Sequence, residues 1–294
     1  MDIRVLKYFL AVAREESITK AAQALHMTQP PLSRQLKDLE DELGKQLLIR
    51  SSKKISLTPD GMLLKKRAEE MVELMEKTKA ELSASDDIIS GDIYMGCGET
   101  EAVSMIAKAA KSLQEKYPLI RYHIYSGDAA HICERLNNGL IDFGLLVEPF
   151  DFEKYDYIKL PTKDTWGVLM RKDSPLAVKK RIEPRDLWEQ PLIISHQTSR
   201  SSEMISWLQR DVSSLNIVAT YDLIYNASRF VKMGFGYVIG LDGLINTSGD
   251  SELCFRPLYP PAEAGLCIVW KRYQVFSKAA EKFLSQMRSE FSQP

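Results

Sequence analysis

Apolar residues recur at helical spacing through the N-terminal part of the chain. Leu6, Phe9, Leu10 and Ala13 follow the i, i+3, i+4, i+7 rule and predict a helix over residues 3–15. Ala21, Ala22 and Leu25 form the small apolar face of a second, short helix, with Ser17 as its cap. His26-Met27 is the turn after it. Thr28 is placed to cap a third helix, whose first turn holds Pro30 and Pro31, where backbone N–H groups are not needed. Leu32, Leu36, Leu39 and Leu43 make its buried stripe, and Gly44 ends it. Leu47-Leu48-Ile49 and Ile55-Ser56-Leu57 read as two short strands. Thr58, Pro59 and Asp60 then open a long helix running to about Ser83. In it Leu64, Ala68, Met71, Met75, Thr78 and Leu82 are spaced 4, 3, 4, 3, 4, a heptad seam suited to pairing with a second copy.

Residues 83–91 are small and polar and end in Gly91, which marks a hinge. Beyond it the period changes. Strands are expected at 93–97, 122–125 and 141–147, with helices at 100–116 and 129–138 between them. This order implies parallel strands joined by helical crossovers. A second unit has expected strands at 166–170, 192–194, 217–220 and 237–240 and helices at 202–210 and 224–233. A strand at 266–270 and a helix at 277–291 finish the chain.

Composition adds one asymmetry. The 294 residues carry a net charge of −1, but residues 1–67 hold 13 Lys/Arg against 8 Asp/Glu. A basic N-terminal piece on an acidic body points to nucleic acid as a partner of that piece alone. The opening stretch is amphipathic and broken by Arg4, Lys7 and Arg14, so it does not read as a signal peptide, and no apolar run reaches membrane-spanning length. A cytoplasmic protein without membrane contact is expected. Cys97, Cys133, Cys254 and Cys267 are far apart and read as buried thiols rather than as a metal site or disulfides.

The polar face of the third helix carries the candidate chemistry. Gln29, Ser33 and Lys37 lie four apart, with Pro30 and Arg34 beside them. Arg and Lys suit phosphates and guanine edges, Gln suits adenine, and Ser suits either. Ser17, Thr19 and Thr28 flank that face, and the loop between the two short strands, with Arg50, Ser52, Lys53 and Lys54, suits a phosphate backbone. An ordinary solvated hairpin with a solubilising loop is the plain alternative.

These residues carry a family resemblance. Ala21-Ala22, the run Thr28-Gln29-Pro30-Pro31-Leu32-Ser33, Leu39-Glu40, Leu43-Gly44, Arg50 and Leu57-Thr58-Pro59-Asp60-Gly61 resemble the LysR-type transcriptional regulators. The likeness is specific over residues 1–65 and architectural beyond. Leu48 stands where the family usually has Phe. The resemblance implies a winged helix-turn-helix at 1–58, a linker helix and hinge at 59–90 that pairs subunits, and an effector-binding domain at 91–294. That domain would be two-lobed α/β, like a periplasmic solute-binding protein, with crossovers near Pro161 and Pro261. Its lobes would be 91–161 plus 262–294 and 162–261. Leu64, Ala68, Met71, Met75 and Leu82 would form the dimer seam. The peroxide-sensing branch carries a cysteine pair in the second lobe; residues 195–215 have none, so that activity is not expected.

Ligands of open α/β lobes sit at the C-terminal ends of strands, near helix N-termini. That rule selects Gly98-Glu99-Thr100-Glu101, Ser126-Gly127-Asp128-Ala129, Ser195-His196-Gln197-Thr198-Ser199, Tyr225-Asn226 and Glu148. The resemblance gives hydroxyl residues at the first two loops a role in holding carboxylate effectors. Thr100 keeps that type, but Asp128 replaces the usual Ser or Thr. With Glu99, Glu101, Asp128 and Glu148 near one cleft, a dicarboxylate is disfavoured unless His196 or Arg200 compensates. An effector with an amine or neutral polar group is expected, an amino acid being one form. The alternative is that Asp128 only caps its helix and turns from the cleft.

The expected function is sequence-specific transcriptional regulation on an interrupted palindromic operator. It implies a homodimer or tetramer, a small-molecule effector, no cofactor, and RNA polymerase as a further candidate partner. The sequence contains no phosphate loop, G-x-S-x-G, H-E-x-x-H or dinucleotide fingerprint, and its four histidines are scattered, so neither catalytic nor metal residues are expected. An α/β enzyme or solute-binding protein with an incidental helical domain, and an architectural DNA-binding protein with a non-sensing body, are the competing readings.

Overall fold

The computed structural model describes residues 1–51, 54–83, 89–148, 150, 152–198 and 202–291. The chain divides into two compact units, 1–83 and 84–294.

In the first unit, α1 (Ile3–Glu15) is capped by Asp2, whose side chain accepts the N–H of Arg4, and it buries Val5, Leu6, Phe9, Ala11 and Val12. Leu10 and Ala13, expected on that face, are half-buried. α2 (Ile18–Ala24) starts as expected: the Ser17 side chain accepts the N–H of Lys20. α3 (Gln29–Leu43) buries Leu32, Leu36 and Leu39. Leu43 does not complete the stripe and is 39% exposed, because the chain from residue 41 to 46 lies outside the core. Gly44 takes the left-handed conformation (φ 63°) that closes α3. Thr28 sits at the cap position, but its side chain makes no cap hydrogen bond. The reason is local: a capping side chain accepts from the second or third helical N–H, and here those residues are Pro30 and Pro31, which have none.

The two short strands are β1 (Leu48–Arg50) and β2 (Ile55–Leu57), antiparallel, with Leu48 opposite Leu57. β1 lies one residue later than expected. α4 (Pro59–Ser83) follows, and its start is locked to the loop before β1. The Thr58 hydroxyl donates to the carbonyl of Gln46 at 2.7 Å and accepts the N–H of Gly61 at 2.9 Å. A Cβ at residue 61 would fall 2.2 Å from the Leu47 carbonyl oxygen, so only glycine fits. α4 packs along α1 within this unit.

In the second unit the elements are β3 (Gly91–Cys97), α5 (Val103–Lys116), β4 (Ile120–Ser126), α6 (Ala129–Asn137), β5 (Phe143–Val147) and β6 (Tyr155–Arg171). They continue as α7 (Pro184–Leu187), β7 (Leu192–Ser195), α8 (Ser202–Leu208), β8 (Ile217–Tyr221), α9 (Ile224–Lys232), β9 (Tyr237–Leu241), β10 (Leu253–Pro257), β11 (Glu263–Lys271) and α10 (Lys278–Phe291). β3 runs parallel to β4 and β5, and β7 runs parallel to β8 and β9. β6 joins the two lobes. Its first half pairs with β11 and its second half with β9 and β10, so the chain crosses through Pro161. β11 returns it to the first lobe after Pro261.

The return is completed by α10: Ala280, Phe283 and Met287 share one core with Ile93, Ile106 and Phe143. A separate core in the second lobe gathers Val168, Leu192, Met204 and Ile239. The first half of β6, β10 and the single turn α7 were not expected, and α5 begins three residues late, after a turn at 100–102. Among the described residues no helix is long and apolar enough to cross a membrane, and no group of three or more His, Cys, Asp or Glu is arranged to hold a metal ion.

Candidate functional site

The first candidate surface lies on α3. Gln29, Pro30, Arg34 and Lys37 are exposed, with Ser33 half-buried beside them. Thr19 and Thr28 are exposed nearby, while Ser17 is half-buried and committed to its cap. The side chains of Lys20, Arg34 and Lys37 have no ion-pair partner among the described residues. The exposed Arg50 is held 3.5 Å from Glu40, and the exposed Lys54 is held 3.4 Å from Glu16. Ser52 and Lys53 lie outside the described residues. Glu40 entered the sequence reading only through the Leu39-Glu40 pair of the family resemblance, without a role, yet it is the joint between helix and wing. Its Oε1 accepts the backbone N–H groups of Leu47 and Leu48 at 2.7 and 3.0 Å.

The second candidate site is the cavity between the two lobes. From the first lobe it is lined by Gly98, Glu99, Gly127, Asp128, Ala129, Ile132 and the end of β5. From the second it takes Trp166, Ser195, His196, Gln197, Tyr221, Asp222, Leu223, Ile224, Leu241 and Leu244. The space open to water is about 80 Å³. That is about half the ~150 Å³ of an apolar cavity that admits benzene.

Glu99 spans this cavity. Its Oε2 accepts the N–H of Ile224, the first residue of α9, at 2.5 Å. Burial pushes its pKa up, and the Ile224 hydrogen bond offsets this in part. Asp128 does both things that the sequence left open: Oδ1 caps α6 by accepting the His131 N–H at 2.8 Å, and the residue also lines the cavity. His196 Nε2 lies 3.8 Å from Asp222 Oδ1 and 3.3 Å from the Thr220 hydroxyl. Tyr221 is half-buried, its hydroxyl donating to the carbonyl of Ile239 at 2.8 Å.

Several expected cleft residues lie elsewhere. Thr100 is buried; its hydroxyl accepts the Ala102 N–H at 3.1 Å and bonds with Asp164, so it does not face the cavity. Glu101 faces Gly243 and Asp164 in a neighbouring hollow. Glu148 lines a neighbouring hollow that shares Trp166 and Gln197 with the cavity, and Lys159 pairs with it at 3.1 Å. Thr198 is buried and bonded to Ser195 at 2.6 Å. Asn226 is exposed and is not among the residues lining this cavity, because α9 has already begun at Ile224. Ser199 and Arg200 lie outside the described residues. Trp166, Tyr221, Asp222 and Ile224 were missed. The strand-end rule would have reached three of them had β8 been ended at Tyr221. The thiols of Cys97 and Cys267 are buried, which pushes them up to about 11 and about 12.

Comparison with known proteins decides the family. The model for the LysR substrate binding domain matches residues 87–292, and that for the bacterial regulatory helix-turn-helix protein, lysR family, matches residues 3–62. The chain belongs to the LysR family of transcriptional regulators. It is 30% identical over 236 residues to the HTH-type transcriptional regulator BsdA of Bacillus subtilis (strain 168), covering 75% of this chain and 81% of that one. It is 27% identical to the Hca operon transcriptional activator HcaR of Escherichia coli (strain K12), over 92% of each. The fold matches the crystal structure of full-length CbnR complexed with its target DNA with a TM-score of 0.76, 19% identity and coverage of 98% of this chain and 99% of that one. This LysR-type regulator therefore joins a DNA-binding helix-turn-helix to an effector-binding domain.

Proposed function

We propose that this regulator binds an interrupted palindromic operator as a homodimer or a pair of dimers, and that a small molecule in the inter-lobe cavity changes that binding or its transcriptional outcome. The observation that carries the reading is the cavity itself. It is lined from both lobes and crossed by hydrogen bonds from Ile224 to Glu99 and from Gln197 to the Val147 carbonyl, so a ligand there acts on the angle between them. Residues 1–58 serve as the DNA-binding domain and 59–90 as the linker. Gln29, Arg34 and Lys37 read the major groove, and Lys20, Arg50 and Lys54 hold phosphates. Met71, Met75 and Leu82 supply the partner-facing side of the linker helix. The setting is the cytoplasm, with RNA polymerase as the downstream partner where the regulator activates.

Fluorescence anisotropy on the DNA upstream of its own gene, against a scrambled duplex at fixed near-physiological salt, tests the reading. Site-specific regulation predicts binding at least ~10³ tighter to the native sequence. Equal affinity for that DNA and for genome-wide pulled-down fragments would instead describe an architectural protein.

A further inference from the structure

We propose that the effector is a small organic cation: an ammonium group on a short apolar body. This rests on reading the inter-lobe cavity as the switch site. Four observations support the class.

The charged groups that line the cavity are acidic. Glu99, Asp128 and Asp222 come from both lobes, the one basic side chain is the imidazole of His196, and no Lys or Arg is present among the described lining residues. An anion entering this space meets like charge on each side.

Both helix N-termini at the cavity are already occupied by the chain's own carboxylates. Such termini are where backbone N–H groups ordinarily hold an anionic ligand. Here Asp128 Oδ1 takes the His131 N–H of α6, and Glu99 Oε2 takes the Ile224 N–H of α9. An anion would have to displace a tethered carboxylate and then sit beside it.

Each of these carboxylates uses one oxygen. Asp128 Oδ2 and Glu99 Oε1 have no hydrogen-bond partner among the described residues. They are acceptors without donors, and an ammonium group, which carries only donors, is their complement. Glu99 is also partly desolvated without a counter-ion, which a bound cation would supply.

The rest of the wall sets the body of the ligand. Ile132, Leu145, Leu146, Leu241 and Leu244 are apolar, and Trp166 offers a ring that attracts cations. The 80 Å³ of space restricts that body to a few carbons.

The test uses one skeleton with three head groups on the full-length protein. Binding of n-butylamine, n-butanol and n-butyrate, with succinate as a dicarboxylate, is measured by calorimetry and by melting temperature. The amine is expected to bind at least tenfold tighter than the alcohol and either carboxylate. E99Q and D128N keep an amide oxygen for each helix N–H, so they fold, and each is expected to weaken amine binding at least tenfold. Butyrate or succinate binding with no amine binding overturns the cation class and leaves the switch-site reading standing. Amine binding unchanged in both variants also overturns the proposal. Silence of all four compounds overturns it too, and operator affinity equally indifferent to every added metabolite would remove the switch-site reading as well.

Discussion

Glu99 and Ile224 are joined across the two lobes by a hydrogen bond of 2.5 Å, a side chain from the loop after β3 capping a helix of the other lobe. The cap is needed because Leu223, at the N-cap of α9, has no side-chain acceptor. E99A is expected to leave the Ile224 N–H unpaired. A lost cap costs ~1 kcal/mol, so amide exchange at Ile224 should accelerate about fivefold while E99Q stays near wild type. Equal protection in E99A and wild type would mean that the bond does not restrain the lobes in solution.

Asp164 sits on the crossing strand β6, only 7% exposed, with Oδ2 buried and without a hydrogen-bond partner. Burial raises its pKa above the usual 3.8; the Thr100 hydroxyl opposes this, and Glu101 and Asp242 add to it. A raised carboxyl contributes stability that is full below 3.8 and is lost as pH rises through the folded-state value. D164N removes the charge, so it should match wild type in acid and exceed it at neutral pH. A gain of ~1 kcal/mol corresponds to about 2–4 °C in melting temperature for a unit of this size. A variant less stable than wild type at neutral pH would show that the ionised Asp164 is needed.

Much of this was legible in the sequence. The helix-turn-helix emerged from leucine spacing, one cap and Gly44, because its elements are local and its periods clean. The return of α10 to the first lobe was not legible, since nothing in residues 277–291 says which sheet they cover; the family resemblance supplied it. The first half of β6 escaped because Asp156 and Lys159 interrupt a strand that is half exposed. Cleft chemistry was legible at Glu99 and Asp128, which stand at strand ends. It failed at Thr100 and Glu148 because a strand-end position does not determine which side of the loop a side chain takes. Asp164, far from Thr100 in sequence, and Lys159, one strand on from Glu148, decide that for them.

Glu40 should matter for stability as well as for the DNA-facing loop. E40A strands two buried backbone donors, Leu47 and Leu48, at a cost of about 2 kcal/mol, and releases Arg50. All four tryptophans lie in residues 84–294, so helix loss seen by circular dichroism without a fluorescence change reports the first unit. That early transition should move to lower urea in E40A. An unmoved transition would assign the wing's position to its apolar contacts alone.

Arg34 and Lys37 should separate specificity from salt dependence. R34A is expected to weaken operator binding by ~1–3 kcal/mol and to relax preference at one base pair, whereas K37A lowers the slope of log affinity against log salt by about 1. The free state of both side chains makes the comparison clean, since neither substitution breaks an ion pair among the described residues. If R34A changes only the salt slope, Arg34 is a phosphate contact and the base reading falls to Gln29 and Ser33.

The linker seam divides into two parts with different expected defects. Ala68 is fully buried in its own chain and Leu64 packs on the core of the first unit, so neither is free for a partner. Met71 is 40% exposed and Leu82 is 82% exposed, which leaves an apolar edge along the second half of α4. A charge placed at the covered part should unfold the unit, because an unpaired buried carboxylate is costly. The same charge at the open part should leave folding intact and separate the subunits. A68E is therefore expected to lower the melting temperature sharply, and M71E to keep it while sedimenting as a smaller species at micromolar concentration. Sedimentation of M71E at the wild-type mass, with A68E folded normally, would assign α4 no role in pairing and would move the dimer contact to another face.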